Sequence, residues 1–494
     1  MNMPTPPQSI HHGWLELATR ISRYTLTRRR FLATAATGAG VALSGLPLAS
    51  SRAQTGGPGL PDQAAWTSTN KIKHVVILCQ ENRTFDHYFG AFSSMFGRGA
   101  KGFDPAQLAY SNGAGITSHP YHLTAFCNRD PDHTWEGSHA KWNSGAMNGW
   151  VTAEDGELTA IGYFEAADHI YHVQLAQAFT LADHYFCAQI GPTLPNRLYL
   201  WSGTSGWAFL EPSETADTLP YNNPPLTAPP PVLSWPTLAD VLDAARLPWK
   251  CYSVADGSLP SAIGAFNPLI FFSQVQTNPL MLARATADIS EFFADLAAGT
   301  LPAVSWIVTE AAVSEHPPAP PDMGQLLAAR VVDALMGSSA WDATALFLTY
   351  DEGGGFFDHI PPQILEHVPA TLADGGAAVG PAFRVPLIIV SPWARSGTVF
   401  KRTLDHTSIL QFVERTFSTK SHPLKLPTID PRRRTLADLR GAFDFRQAEP
   451  RPALPTPSQL IATANQTLLT LDASRTVASC STTLPSWLLP LLGV

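Results

Sequence analysis

Two acidic pairs in this chain stand where an apolar run gives way to polar residues. Glu81-Asn82 follows HVVILC (74–79), and Asp351-Glu352 follows ATALFLTY (343–350) and precedes three glycines. Oxygen ligands that converge from separate strands suit a hard or borderline divalent cation. Taken singly, each pair reads as a helix cap or a turn; two pairs in equivalent positions weigh against that. A third element is AQIGPTLPNRLYLWSGTS (188–205). Gly191-Pro192 interrupts the preceding run, and Pro195 with the helical pattern from Asn196 puts Thr193 near a helix N-terminus. Free backbone N–H groups and the helix dipole favour phosphate there. A hydroxyl held beside a metal is a nucleophile candidate, because coordination lowers the energy of its alkoxide. The plainer alternative is an N-cap threonine. Arg197 suits either a phosphate oxygen or a brace within the helix.

Histidines supply the fourth element. His133 and His139 lie in DPDHTWEGSHAKWN, His316 in SEHPPAPPD, His359 in FFDHIPP and His406 in LDHTS. A lone histidine is more often a hydrogen-bonding structural residue than a catalyst. His133 and His316, in polar loops containing Pro and Asp, fit a proton donor or phosphate binder better than a core role. Asp405 and Thr407 suit capping of the following helix, which makes the segment around His406 mainly structural.

The elements that must position these residues follow from the hydrophobic pattern. AVSWIVT (303–309) and RVPLIIVS (384–391) join the two runs above as short continuous apolar stretches. Such runs read as strands buried on both faces, as in parallel sheets. Gln325 to Met336 and Ser408 to Phe417 carry the helical period between and after them. The alternation predicts an α/β fold, a mostly parallel sheet flanked by helices. Chemistry in such sheets sits beyond the carboxyl ends of the strands, where both acidic pairs fall.

At its N-terminus the chain reads as an address. Thr27-Arg28-Arg29-Arg30-Phe31-Leu32 precedes a mildly apolar run to Leu48, and Ser51-Arg52-Ala53 offers small residues for cleavage. Gly38, Gly40, Gly45 and Pro47 make that run a poor spanning helix, so residues 1–53 read as a cleaved leader. Its arginines resemble the twin-arginine signal for export of folded proteins, to the periplasm, cell envelope or exterior. The domain expected after it spans 54–445, with an insertion at about 211–300 that begins with a Pro-rich excursion (211–236). A Pro- and Thr-rich tail occupies 446–494, with one short helix around Ser458 to Leu469.

The whole chain has 494 residues, 45% of them hydrophobic, and a formal charge of −8. Without residues 1–53 it carries 26 basic against 39 acidic residues, or −13. A field of that sign repels polyanions, which argues against nucleic acid as a partner. Five scattered cysteines, with no Cys-x-x-Cys pair, exclude a disulfide scaffold and a zinc knuckle. Export permits a disulfide, with Cys127 and Cys480 as the expected pair. Any contact of so acidic a protein with a membrane surface must be local and apolar; Trp235 with the Pro-rich excursion before it, and the run Phe266 to Phe272, are candidates, with core packing of Leu269 to Phe272 at least as strong an alternative.

Seven motifs in order resemble the bacterial phosphoesterase family of phospholipases C and acid phosphatases. They are ENRTFDHYFG (81–90), DPDHTWEGSHAKWNSGAMNGW (130–150), GPTLPNRLYLWSGT (191–204), SWIVTEAAVSEHP (305–317), TALFLTYDEGGGFFDHIPP (344–362), FRVPLIIVSPWARSG (383–397) and DHTSILQFVERTF (405–417). Within that family the likeness is nearest to the phospholipases C of the mycobacterial kind. The resemblance implies an alkaline-phosphatase-like core with one divalent metal ion. Carried onto this chain, it makes Glu81, Asn82, Asp351 and Glu352 metal ligands and Thr193 the nucleophile. His133 and His316 would contact the phosphoryl group or serve the leaving group, and Arg197, His139 and His359 would line the substrate. The expected substrate is a phosphatidylcholine-like phospholipid, with a phosphate monoester as the alternative. Gly353, where many relatives carry Asn or His, and the lack of a histidine in 251–275 bear on substrate preference rather than on the core chemistry.

Overall fold

Each apolar run becomes a strand because both of its faces are covered. In chain order the main sheet comprises β1 (His74–Gln80), β2 (Thr180–Ala182), β3 (Trp249–Ser253), β4 (Ala287–Asp288), β5 (Val304–Val308), β6 (Thr344–Tyr350), β7 (Leu387–Val390) and β8 (Thr398–Phe400). The computed structural model describes residues 71–96, 99–209, 220–223, 232–254, 266–372, 374–437 and 439–461. The expected leader, most of the Pro-rich excursion, Cys480 and the end of the expected tail helix lie outside the described residues. Cys127 is disulfide-bonded, whereas Cys79, Cys187 and Cys251 are buried free thiols.

Spatial order in the sheet is β8-β2-β7-β6-β1-β5-β3-β4. β1 runs parallel to both β5 and β6, and β5 parallel to β3. Val75, Val76, Ile77, Leu78 and Cys79 are all fully buried, as central parallel strands require. One feature departs from the expectation. β7, from the RVPLIIVS run, is antiparallel to β6 and to β2. An unbroken apolar run carries no directional information, so pattern alone cannot distinguish the two senses. The region read as an insertion supplies β3 and β4, which extend the main sheet beyond β5 at one edge.

The helices that matter for the site are α1 (Phe85–Phe89), α2 (Trp135–Trp142), α3 (Ile170–Ala178), α4 (Thr193–Ser202), α5 (Pro321–Gly337) and α6 (His406–Phe417). Asp405 caps α6 through a capping box with Ser408, as its position suggested. α4 is buried along its entire length. The run offered for membrane contact is core: Leu269, Ile270, Phe271 and Phe272 are buried, and Phe272 has no exposed surface. Trp235 is buried too, stacked on Phe209 with its indole N–H donating to Ser202. Phe271 and Phe272 cannot seat on a bilayer without unpacking the core around them. No described helix is long and apolar enough to cross a membrane.

Candidate active site

Glu81 and Asn82 leave the carboxyl end of β1, and Asp351 and Glu352 leave the neighbouring end of β6. The two exits are stitched together: the Asp351 N–H donates to the Gln80 carbonyl at 3.1 Å, and the Asn82 N–H to Asp351 Oδ1 at 3.2 Å. Asn82 takes a left-handed backbone (φ 61), a conformation asparagine tolerates better than most residues. Gly354 (φ 60) packs against it so closely that a Cβ there would lie 2.5 Å from the Asn82 carbonyl oxygen. Glycine at 354 is therefore required by this approach. The Gly354 N–H also donates to Glu352 Oε2 at 2.6 Å.

Thr193 is the first residue of α4, and its hydroxyl donates to Glu81 Oε2 at 3.3 Å. Pro192 occupies the N-cap and no side chain caps the helix, so the N-cap alternative for Thr193 is not what the structure shows. One turn along, Arg197 is fully buried. Its Nε donates to Glu81 Oε1 at 2.6 Å and to Asp351 Oδ2 at 3.3 Å, and its terminal nitrogens reach the carbonyls of Phe266, Cys79 and Gln80. This corrects the reading of Arg197 as a substrate contact: it is the counter-charge of two buried carboxylates.

Opposite stand two imidazoles. His133 Nδ1 faces the Pro131 carbonyl at 2.8 Å and His316 Nδ1 the Pro317 carbonyl at 2.6 Å, which directs both Nε2 atoms inward. His133 Nε2 lies 3.6 Å from Glu352 Oε1. Asp130, which the sequence reading passed over, lies 3.6 Å from His133 and 3.9 Å from His316. Its place three residues before His133 in DPDH was the available signal. The loop carrying it is pinned by buried Lys141, paired with Glu154 at 2.7 Å, which also accepts from the Asp132 N–H.

The electrostatics follow from burial. Burial raises the Glu81 carboxyl well above the usual range, against the pull of Arg197. It also pushes Glu352 up to about 8, with His133 opposing. Burial works against the His133 imidazolium, yet Glu352 and Asp130 outweigh it and raise His133 to about 9. His316 is lowered by burial. Two carboxylates, Glu81 and Asp351, thus share one buried guanidinium, and Glu352 faces His133.

The Asn82 amide shows what would balance them. One of its two terminal atoms lies 3.0 Å from Glu352 Oε1 and 3.2 Å from Glu81 Oε2, and the other 3.0 Å from His316 Nε2. With the oxygen toward the carboxylates, three acceptors face one another, an arrangement a divalent cation satisfies. Without a cation the amide must turn its NH2 group toward them. The oxygen donors present therefore fit such an ion.

Two other expected substrate contacts are not brought to this cluster. His139 faces the backbone carbonyls of Trp135 and Ala378 at 2.7 and 2.8 Å, so both ring nitrogens are taken up within the fold. His359 pairs with Asp86 at 2.5 Å, in a buried network where Arg384 bridges Asp86 and Asp358. Both positions are structural corrections to the sequence reading, made by partners remote in sequence.

A profile of the phosphoesterase family matches residues 72–420. The chain belongs to that family. This phosphoesterase is 34% identical over 448 residues to the non-hemolytic phospholipase C of Burkholderia pseudomallei, covering 78% of this chain and 61% of that one. It is 33% identical over 475 residues to the non-hemolytic phospholipase C of Pseudomonas aeruginosa, covering 88% of this chain and 66% of that one. The phosphoesterase thus spans less than two thirds of the length of these two relatives. Phospholipase C B of Mycobacterium tuberculosis is 33% identical over 483 residues, covering 87% and 88% of the two chains. Among solved structures, the PsFucS1 sulfatase of Pseudoalteromonas sp. is similar at 12% identity and a TM-score of 0.34, over 77% of this chain and 74% of that one.

Proposed function

We propose that this chain is an exported, metal-dependent phospholipase C that cleaves phosphatidylcholine-like lipids to diacylglycerol and a phosphorylated head group. The observation that carries the reading is the Thr193 hydroxyl, at the first position of α4, donating to a Glu81 oxygen within the four-residue oxygen cluster. The names of the relatives support the phospholipase C class, and the arginine-rich leader supports export.

Glu81, Asn82, Asp351 and Glu352 would hold one divalent ion, which when bound stabilises an alkoxide at Thr193 and negative charge on phosphate oxygens. Thr193 Oγ1 attacks phosphorus, and its proton passes to Glu81 Oε2, the acceptor already in place. The bond from phosphorus to the diacylglycerol oxygen breaks in line, and His133, held as an imidazolium by Glu352 and Asp130, protonates the leaving oxygen. The phosphothreonine is then hydrolysed by water, with His133 taking the water proton and Glu81 returning one to Thr193. At the start of α4 the Leu194 N–H donates to Asn223 Oδ1 at 2.8 Å and Pro195 has none, so the Thr193 N–H is the backbone donor placed for a phosphoryl oxygen.

The deciding experiment compares the purified protein on phosphatidylcholine, sphingomyelin and p-nitrophenyl phosphate with and without chelator. Chelator-sensitive cleavage of the choline lipids in preference to the monoester is expected. A preference for the monoester would identify a phosphatase, and chelator-resistant turnover would remove the metal from the mechanism.

A further inference from the structure

Beneath the site lies a carboxylate that the proposed reaction does not touch. Glu315 is fully buried, immediately precedes His316 and has a left-handed backbone (φ 71). Its Oε2 accepts from the Tyr88 hydroxyl at 2.5 Å and the Tyr350 hydroxyl at 2.8 Å. Its Oε1 accepts from the Gln80 amide at 3.4 Å. Its own carbonyl accepts from Arg83 Nε at 3.0 Å and from an Arg83 terminal nitrogen.

The chain positions of these partners give the contacts their meaning. Gln80 and Arg83 bracket Glu81-Asn82. Tyr350 directly precedes Asp351-Glu352. Glu315 itself precedes His316. Three segments leaving the adjacent strands β5, β1 and β6 are therefore gripped one residue away from their site side chains, and all by one residue. The surrounding packing leaves room for it: a Cβ on Gly324, in the first turns of α5, would fall 2.2 Å from Glu315 Oε1. A left-handed backbone at a non-glycine residue persists only where its surroundings over-determine it. Here the Arg83 clamp on the carbonyl and the three donors on the carboxylate do so, and the chain then delivers His316 toward Asn82.

We infer that Glu315 is a positioning residue, whose carboxylate sets the placement of both oxygen-ligand pairs and of His316 relative to one another. The roles of the positioned residues rest on the phosphoesterase reading above. Outer partners that orient metal ligands affect metal affinity directly, which separates this role from general stability.

The test uses the full chain carrying Glu315→Gln, and separately Tyr350→Phe, which removes a single donor. Mn2+ affinity is measured by calorimetry, kcat and KM on p-nitrophenylphosphorylcholine, and Tm by scanning calorimetry, with binding and kinetics run well below each Tm. Glu315→Gln is expected to weaken Mn2+ binding by about tenfold to a hundredfold, with Tyr350→Phe intermediate. The kinetic loss should fall on kcat, with KM within about threefold of wild type. Affinity and kcat both within about twofold of wild type in Tyr350→Phe, or in folded Glu315→Gln, would overturn the inference. If wild type does not hydrolyse p-nitrophenylphosphorylcholine, the phospholipase C reading fails, while the Mn2+ comparison still decides whether Glu315 positions the oxygen-ligand pairs.

Discussion

Thr193 Oγ1 and Glu81 Oε2 lie 3.3 Å apart, joining the first residue of a buried helix to the first residue beyond the central strand. Because Pro192 holds the N-cap, Thr193→Ala removes no cap. The lost hydroxyl contact should cost about 1 kcal/mol. Turnover should fall by about a thousandfold or more, as for loss of a nucleophile. Circular dichroism and an activity assay on the same preparation check both statements; an active alanine variant would remove Thr193 from the mechanism.

Arg197 faces Glu81 and Asp351 with all three side chains fully buried. Arg197→Met leaves both carboxylates uncompensated and should destabilise the chelator-treated protein by about 3–5 kcal/mol. Divalent metal should restore part of that loss by supplying the missing positive charge. Urea unfolding with EDTA and with added Mn2+ measures the difference. An equal loss under both conditions would mean that no cation reaches these carboxylates.

Asp351→Ala should abolish stoichiometric metal binding, because its Oδ1 also fixes the Asn82 and Glu352 backbone N–H groups. Elemental analysis of the dialysed variant is the readout; retention of one ion per chain would contradict the ligand assignment.

Gly354→Ala tests the close approach to Asn82. The added Cβ meets backbone in a left-handed conformation, so about 1–2 kcal/mol of strain is expected from that conformation alone, before the contact is counted. Metal affinity should fall together with stability. Gly376 (φ 91) has nothing near an added Cβ, so its alanine variant serves as a control with backbone strain and no contact.

Acid stability depends on buried histidines that take no part in the proposed reaction. Burial lowers His169 and His172 to about 3, and His172 Nε2 lies 3.6 Å from Glu315 Oε1. The folded protein holds both rings neutral, whereas the unfolded chain takes up protons below its ordinary value of 6.5. Their contribution is therefore complete above pH 6.5 and is lost as the pH falls toward 3, at roughly 1.4 kcal/mol per pH unit for each ring. His169 packs among Tyr88, Phe89, Phe92 and Phe164, so His169→Phe keeps a ring there and should flatten the acid limb of a Tm-against-pH curve. An unchanged slope would mean that the ring takes no part in acid unfolding.

How much of the site could be read from the chain differs from residue to residue. Glu81-Asn82 and Asp351-Glu352 were legible because each ends an apolar run, and a buried strand must surface at its carboxyl end. Thr193 was legible from Gly191-Pro192 and Pro195, which punctuate the chain locally. Arg197, His139 and His359 were misread because each role is set by partners far away in sequence: Glu81 and Asp351, the Ala378 carbonyl, and Asp86. Glu315 is not marked in the sequence because nothing local distinguishes a carboxylate under a site from one on the surface, whereas Asp130 is marked only by its place three residues before His133.

The sequence by itself determined the class of sheet, the strand ends where polar chemistry emerges and the oxygen-bearing side chains that stand there. These follow from short-range pattern: apolar run length, glycine and proline punctuation, and residue type. Only the tertiary structure decided the antiparallel sense of β7, the burial of Phe271 and Phe272, and which charged groups face one another. Strand direction and charge pairing are properties of contacts between segments up to hundreds of residues apart, and the free energy of such a contact depends on both partners, so neither segment alone records it.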